Sequence, residues 1–151
     1  MILYRIGLNK FIKDLSGAGA KITGGRWNEA GTPCLYACDS RSLCVLEYSC
    51  HVQLTSIPRK LSFLILELPD DSIKTHRLSD LPRDWRAWPH PLGSRAFGTK
   101  QLSAHRHLIH RFPSAVIEQE FNYVIDPGHP RAREIRILGV EDYSYDARIK
   151  Q

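Results

Sequence analysis

The chain has 151 residues, with 21 Lys and Arg against 16 Asp and Glu, a formal net charge of +5. With 42% hydrophobic and 25% charged residues it reads as one globular domain over residues 1–151, which excludes wholesale disorder. No apolar run approaches the roughly 20 residues of a membrane span, and the opening Met1-Ile2-Leu3-Tyr4-Arg5 lacks the plan of a secretory leader, so a cytoplasmic protein without a membrane partner is expected.

Residues 2–6 read as a short strand. A stretch from 14 to 33 follows that holds five of the ten glycines, Gly17, Gly19, Gly24, Gly25 and Gly31, and reads as a loop. Residues 33–38 suggest a second strand, with Asp39 or Ser40 placed to cap a helix over 41–52. Leu43, Leu46 and Cys50 fall at i, i+3 and i+7 and predict the buried stripe of that helix. The continuous apolar run 61–68, ended by Pro69-Asp70-Asp71, predicts a buried strand. Segments 81–88 and 92–102, punctuated by prolines and glycines, read as short helical or irregular pieces. Strand patterns return at 108–112, 115–117, 121–125 and 134–138. Strands dominate without βαβ alternation, so the expected class is α+β, with a mostly antiparallel central sheet and few helices.

Cys34, Cys38, Cys44 and Cys50 lack the close pairs of structural zinc sites and crowd into one segment, so they read as reduced, mostly buried thiols. The pI near 9.2 suits a nucleic-acid binder. The basic residues are dispersed, however, and serve equally well to hold a dinucleotide's phosphates or an acidic partner. Charge alone does not decide between these readings; direct nucleic-acid binding is not the expectation to which the chain as a whole leads.

Gly17 and Gly19 begin a dinucleotide fingerprint, but its third glycine would fall on Ile22, and the pattern fails. The loop ends in Gly24-Gly25-Arg26-Trp27-Asn28. Either paired glycines admit a ligand to Arg26 and to the face of Trp27, or Trp27 plugs the core and Arg26 pairs with a carboxylate. Glu47 lies beside the apolar stripe with no Lys or Arg at i±3 or i±4, so it either meets a distant cation such as Arg26 or reaches water. Ser114 after Pro113 lacks the setting of an α/β-hydrolase nucleophile and reads locally as a turn residue. His105 and His107, if extended, share a face on which a metal can sit. No acid or cysteine is near in sequence, and no metal is expected. Arg131, Arg133 and Arg136 fit a phosphate-gripping patch or the open side of a strand.

The order of these pieces is more specific than any one of them. Leu3-Tyr4-Arg5-Ile6, Asp14-Leu15-Ser16-Gly17, Gly25-Arg26-Trp27-Asn28, Gly31-Thr32-Pro33 and Leu35-Tyr36 run in series. Leu46-Glu47, Pro113-Ser114-Ala115-Val116, Asn122-Tyr123, Asp126-Pro127-Gly128-His129-Pro130 and Asp146-Ala147-Arg148-Ile149 continue it. The series resembles the RES domain over nearly the whole chain, and the Arg, Glu and Ser that name the family fall on Arg26, Glu47 and Ser114. Two positions depart from the pattern and bear on packing or partner contacts. Gln101-Leu102 stands where the family often has Trp-Leu, and Asp126 where it more usually has Asn.

The resemblance implies an ADP-ribosyltransferase-like fold and a bacterial toxin of a type II toxin–antitoxin pair, silenced in a hetero-oligomeric complex by a DNA-binding Xre-type antitoxin that blocks the active site. It implies NAD+ as substrate, no prosthetic group, and cleavage of the nicotinamide–ribose bond with water or phosphate as acceptor. Glu47 would stabilise the ribose cation, with Arg26 on the diphosphate or ribose and Tyr36 on the nicotinamide riboside. Ser114 would place a ribose hydroxyl or the attacking group, and Arg5, Trp27 and Asn122 would add binding contacts. ADP-ribosylation of a protein is the alternative; a non-catalytic nucleic-acid-binding module is a distant one.

Overall fold

The computed structural model describes residues 1–57 and 60–150. Seven strands form one sheet: β1 (Ile2–Leu8), β2 (Leu35–Cys38), β3 (Leu61–Glu67), β4 (Ile73–Thr75), β5 (Ile109–Pro113), β6 (Phe121–Ile125) and β7 (Arg136–Tyr143). Their order is β4-β5-β6-β2-β1-β3-β7, and every neighbouring pair is antiparallel except β4 and β5. Among the described residues three α-helices accompany it: α1 (Ala18–Thr23), α2 (Arg41–His51) and α3 (Leu92–Ser103). The class is α+β, as the strand-rich pattern predicts.

Alternation along the strands sorts side chains onto two faces. On one face Leu3, Leu35, Ala37, Leu64, Leu66, Tyr123 and Ile125 pack with Ile12, Leu108 and Ile109. The other face carries two separate apolar groups. Cys38 and Phe63 meet Leu43 and Cys44 of α2, while Phe112 and Val124 meet Trp27, Trp85 and Leu102. Between these groups Tyr36 and Cys38 of β2 stand beside Asn122 of β6, because β2 and β6 pair with Tyr36 opposite Val124 and Cys38 opposite Asn122.

Several expectations are corrected. The glycine-rich stretch is not loop throughout. Left-handed Gly17 (φ 74°) starts α1, and left-handed Gly24 (φ 70°) ends it, a conformation that costs glycine little. Ser40 does cap α2, its side chain accepting from the Leu43 N–H. The buried positions of that helix are Leu43, Cys44 and Ser49, however, not the stripe Leu43, Leu46 and Cys50. Its Cys44 face lies on the sheet, which turns Leu46 and Glu47 toward open space and leaves Cys50 exposed. Residues 115–117 form no strand, since the Ser114 hydroxyl accepts from the Val116 and Ile117 N–H groups and bends the chain. Residues 130–134 make a 3-10 turn, so the last strand starts at Arg136 rather than Glu134. β4 was not foreseen, being too short to show a period.

The basic candidates away from the glycine loop are engaged locally. His105 sits in a turn at positive φ (48°), so the extended reading of 105–107 fails, and its Nδ1 lies 2.6 Å from Oδ2 of buried Asp126. The departure at Asp126 thus provides a carboxylate for His105. Arg131 pairs with Asp71 and Glu134, and Arg136 with Glu67, as surface ion pairs. Among the described residues no group of three His, Cys, Asp or Glu is placed to hold a metal.

Two imidazoles lie inside the core. His76 and His110 are buried with Nε2 and Nδ1 3.2 Å apart, and His76 stacks on Phe112 at 4.3 Å. Burial holds both at about 4, below the ordinary imidazole value. The unfolded chain therefore takes up protons first as pH falls. The stability these neutral rings permit is complete above about pH 6.5 and is lost as pH falls toward 4. Urea unfolding at pH 7 and pH 5 should differ by roughly 3 kcal/mol on this account. The difference should shrink clearly in a His76→Phe, His110→Leu double variant, the remainder coming from His90 and His51, which burial also holds down; a difference unchanged there would show that other groups carry it.

Candidate active site

A cleft of about 1040 Å³ opens between the two apolar groups, large enough for a drug-sized or dinucleotide ligand. Among the described residues four cations line it, Arg5, Arg26, Arg86 and Lys150, against one carboxylate, Glu47. Such a balance favours an anionic ligand and makes the lone carboxylate conspicuous.

Glu47 is half-buried on the α2 face that the sheet leaves uncovered. Its Oε1 accepts from Ser114 Oγ at 2.6 Å and from Asn122 Nδ2 at 2.7 Å. Both bonds land on one oxygen and leave Oε2 for a ligand. The Asn122 amide is oriented in turn, because its Oδ1 accepts from the Cys38 thiol at 3.3 Å. Hydrogen bonding with the neighbouring Cys44, together with burial, pushes the Cys38 thiol far up, so it remains a donor.

Ser114 is fully buried and does not reach the cleft surface. Its oxygen accepts two backbone N–H groups, each at 3.0 Å, and its only proton goes to Glu47. That saturates the hydroxyl. Ser114 fixes the carboxylate rather than touching a ribose or an attacking group, a different task from the one the sequence suggested.

Arg26 points from the glycine loop into the cleft, where its Nη1 donates to the carbonyls of Trp85 (2.5 Å) and Ala87 (2.9 Å). A guanidinium has five N–H donors, so Nη2 and Nε stay free for a phosphate or ribose. Burial draws its pKa down while Glu47 and Tyr36 oppose that, and it remains charged. Arg86, between those two carbonyls, is spent on structure: it bonds Ala115 O, Val116 O and Glu118. It thereby ties the Arg26 anchor to the turn that holds Ser114.

The Tyr36 side chain lines the cleft, but its hydroxyl accepts the Trp27 N–H at 3.0 Å and donates to Asn28 Oδ1 at 2.8 Å. Asn28, fully buried, spends its Nδ2 on the Ala20 and Thr32 carbonyls. These bonds make the glycine loop a rigid shelf for Arg26. Trp27 takes the core role: it is 1% exposed, stacked on Phe112 at 4.0 Å and Trp85 at 6.0 Å, and offers no face to a ligand. Arg5 donates from β1 to Asp14 O at 2.9 Å and reaches the cleft wall, where burial lowers its pKa.

Sequence reasoning missed His51, Arg86, Trp88, His90 and Lys150, all of which line the cleft. Only the aromatic run between Pro82 and Pro91 gave any signal, as a proline-set segment rich in rings.

The site thus sets a buttressed glutamate, carried by one helix of an α+β fold, over an arginine-bearing glycine loop. The crystal structure of the Mycobacterium tuberculosis MbcT–MbcA toxin–antitoxin complex shares this fold, with a TM-score of 0.75 at 20% identity over 95% of this chain and 84% of that one. The sequence matches the RES domain over residues 2–147. It is 37% identical to a Prs ADP-ribosylating toxin of Sphingobium sp. (strain YBL2), over 90% of this chain and 86% of the relative. It is 34% identical to a Toxin Res of Pseudomonas putida (strain KT2440) over 99% of each. The chain belongs to the RES domain family, the family of toxins that holds these relatives. No helix among the described residues is long and apolar enough to cross a membrane.

Proposed function

We propose that this protein is the toxin of a toxin–antitoxin pair and consumes NAD+ by breaking the bond between nicotinamide and ribose. The observation that carries this reading is Glu47, the one carboxylate among four cleft cations, held by two donors on a single oxygen. The nicotinamide of NAD+ leaves with the bonding electron pair and becomes neutral, so no general acid is needed, unlike the two-carboxylate glycosidases. The ribose is left as an oxocarbenium cation, which Glu47 stabilises electrostatically. Arg26 binds the diphosphate through its free N–H groups. An acceptor oxygen, from water or phosphate, then bonds to the ribose carbon; water yields ADP-ribose and one proton. NAD+ is the substrate, and no prosthetic group enters the scheme.

Nicotinamide release from NAD+ by the purified chain tests this, beside Arg26→Ala and Glu47→Ala variants of matched fold. Release by the wild type that is lost in both supports the scheme; a folded, antitoxin-free chain that releases none overturns it. Ser114→Ala should lower kcat about 10- to 100-fold with little change in KM, because the carboxylate loses a donor while the cleft keeps its cations. A raised KM at constant kcat would instead place Ser114 on the substrate.

The name of the Sphingobium relative favours a second reading, in which a protein side chain captures the same ribose cation. Label from adenine-labelled NAD+ would then appear on a protein band rather than in free ADP-ribose. The antitoxin is proposed to be of the Xre type and to cover the cleft between Arg26 and Glu47 in a hetero-oligomer. An accessible, active cleft in the purified complex would refute that.

A further inference from the structure

The rim of the cleft holds a feature the scheme above leaves unused. Trp88, His51 and His90 all line the cleft and touch one another: Trp88 and His90 meet edge to face at 4.7 Å, His51 and His90 at 5.5 Å, and His51 and Trp88 at 5.8 Å. Trp88 is 66% exposed, whereas the other two tryptophans, Trp27 and Trp85, are 1% and 7% exposed. A large indole left open beside two rings at a cleft mouth marks a place where another flat group is covered. A second observation points the same way. The Nδ1 of His90 is buried without a hydrogen-bond partner, a cost that a ligand's amide can relieve. Burial also keeps His90 neutral, at about 4, and draws His51 down. The two imidazoles therefore offer faces and single hydrogen bonds without adding positive charge.

We infer that Trp88, His51 and His90 form the subsite that receives the carboxamide-bearing pyridinium ring of the dinucleotide. His51 is four residues after Glu47, one turn along the same side of α2, and such positions lie about 5–6 Å apart. That is the separation between a ribose held at Glu47 and the ring attached to it. The adenine end lies two phosphates and a second ribose further away. The exposed indole suits a ring that is cationic before cleavage, and the unpartnered His90 nitrogen suits its carboxamide. This assignment rests on the NAD+-cleaving reading and names the residues that recognise its leaving group.

Tryptophan fluorescence of the purified chain gives the test, with nicotinamide, ADP-ribose and adenosine monophosphate as separate probes. Nicotinamide should quench saturably through Trp88, and the saturable part should vanish in Trp88→Phe, which removes that reporter but keeps a ring. Trp88→Ala, at an exposed position, should fold normally and raise KM for NAD+ about tenfold while ADP-ribose binding is unchanged. His90→Leu should weaken nicotinamide as a product inhibitor, and His90→Gln should restore part of it. Saturable quenching by adenosine monophosphate and not nicotinamide, or purely linear quenching by nicotinamide, overturns the subsite. The two readings fail separately. Trp88→Ala with wild-type KM and wild-type nicotinamide inhibition removes the subsite and leaves cleavage standing. Saturable nicotinamide binding at Trp88 in a protein that never cleaves NAD+ removes the cleavage instead.

Discussion

Glu47→Gln should abolish NAD+ cleavage without unfolding the protein. Glutamine keeps the shape and can still accept from Ser114 and Asn122 at the position of Oε1, so the two buttressing bonds survive. What it loses is the negative charge facing the ribose cation, in a cleft whose other ionisable neighbours are mostly cationic. Removing one preorganised electrostatic contact of this kind costs about 10²- to 10³-fold in kcat. The rate here should fall by at least that, because no second carboxylate lines the cleft among the described residues. Thermal denaturation should show a Tm within a few degrees of wild type. Retained turnover in the folded variant would remove the role assigned to Glu47, and with it the argument that a single carboxylate suffices.

The second large effect is on the fold. Gly98 lies in α3, where an added Cβ would stand 2.0 Å from the Trp27 carbonyl oxygen and 2.6 Å from its carbon. Neither atom can yield as a flexible side chain can, so Gly98→Ala must lift α3 off the Trp27 stack with Phe112 and Trp85. A loss of about 3 kcal/mol or more is expected from such overpacking. It should reach the site too, since Arg26 precedes Trp27 and takes its direction from that loop. Gly19→Ala supplies the control: nothing lies within 4 Å of its added Cβ, in α1. It should be neutral or stabilising by up to about 1 kcal/mol. Denaturant titration of the two variants distinguishes them, and equal stability would show that α3 is not seated on the Trp27 backbone.

Much of this was legible in the residues. β1, β2, β3, β5, β6 and α2 were foreseen to within a few positions, as was the Ser40 cap. Each depends on a local pattern: an apolar run, a capping side chain next to a helical period, or a proline that stops a strand. The ordered series of short motifs also brought Arg26, Glu47 and Ser114 forward, although local chemistry favoured a bland reading of all three. The misses have physical causes. A helical period says that α2 has an apolar side, but not how far it is rotated on the sheet. Cys44 rather than Leu46 faces inward, and that rotation carries Glu47 to the cleft.

Composition and local pattern, then, determined an α+β chain with one well-capped helix, because burial along a strand or helix is written in residues that are near neighbours. Tertiary structure alone decided who meets whom. Ser114 and Asn122 reach Glu47 across 67 and 75 residues only because β6 pairs with β2 beneath α2. That convergence turned Ser114 from a supposed substrate contact into a buried support, and Trp27 from a ligand platform into core. It also set Trp88, the least remarked of the three tryptophans in the sequence, open at the cleft mouth. Hydrogen bonds and aromatic contacts between distant segments depend on strand order and helix rotation, and no local period encodes either.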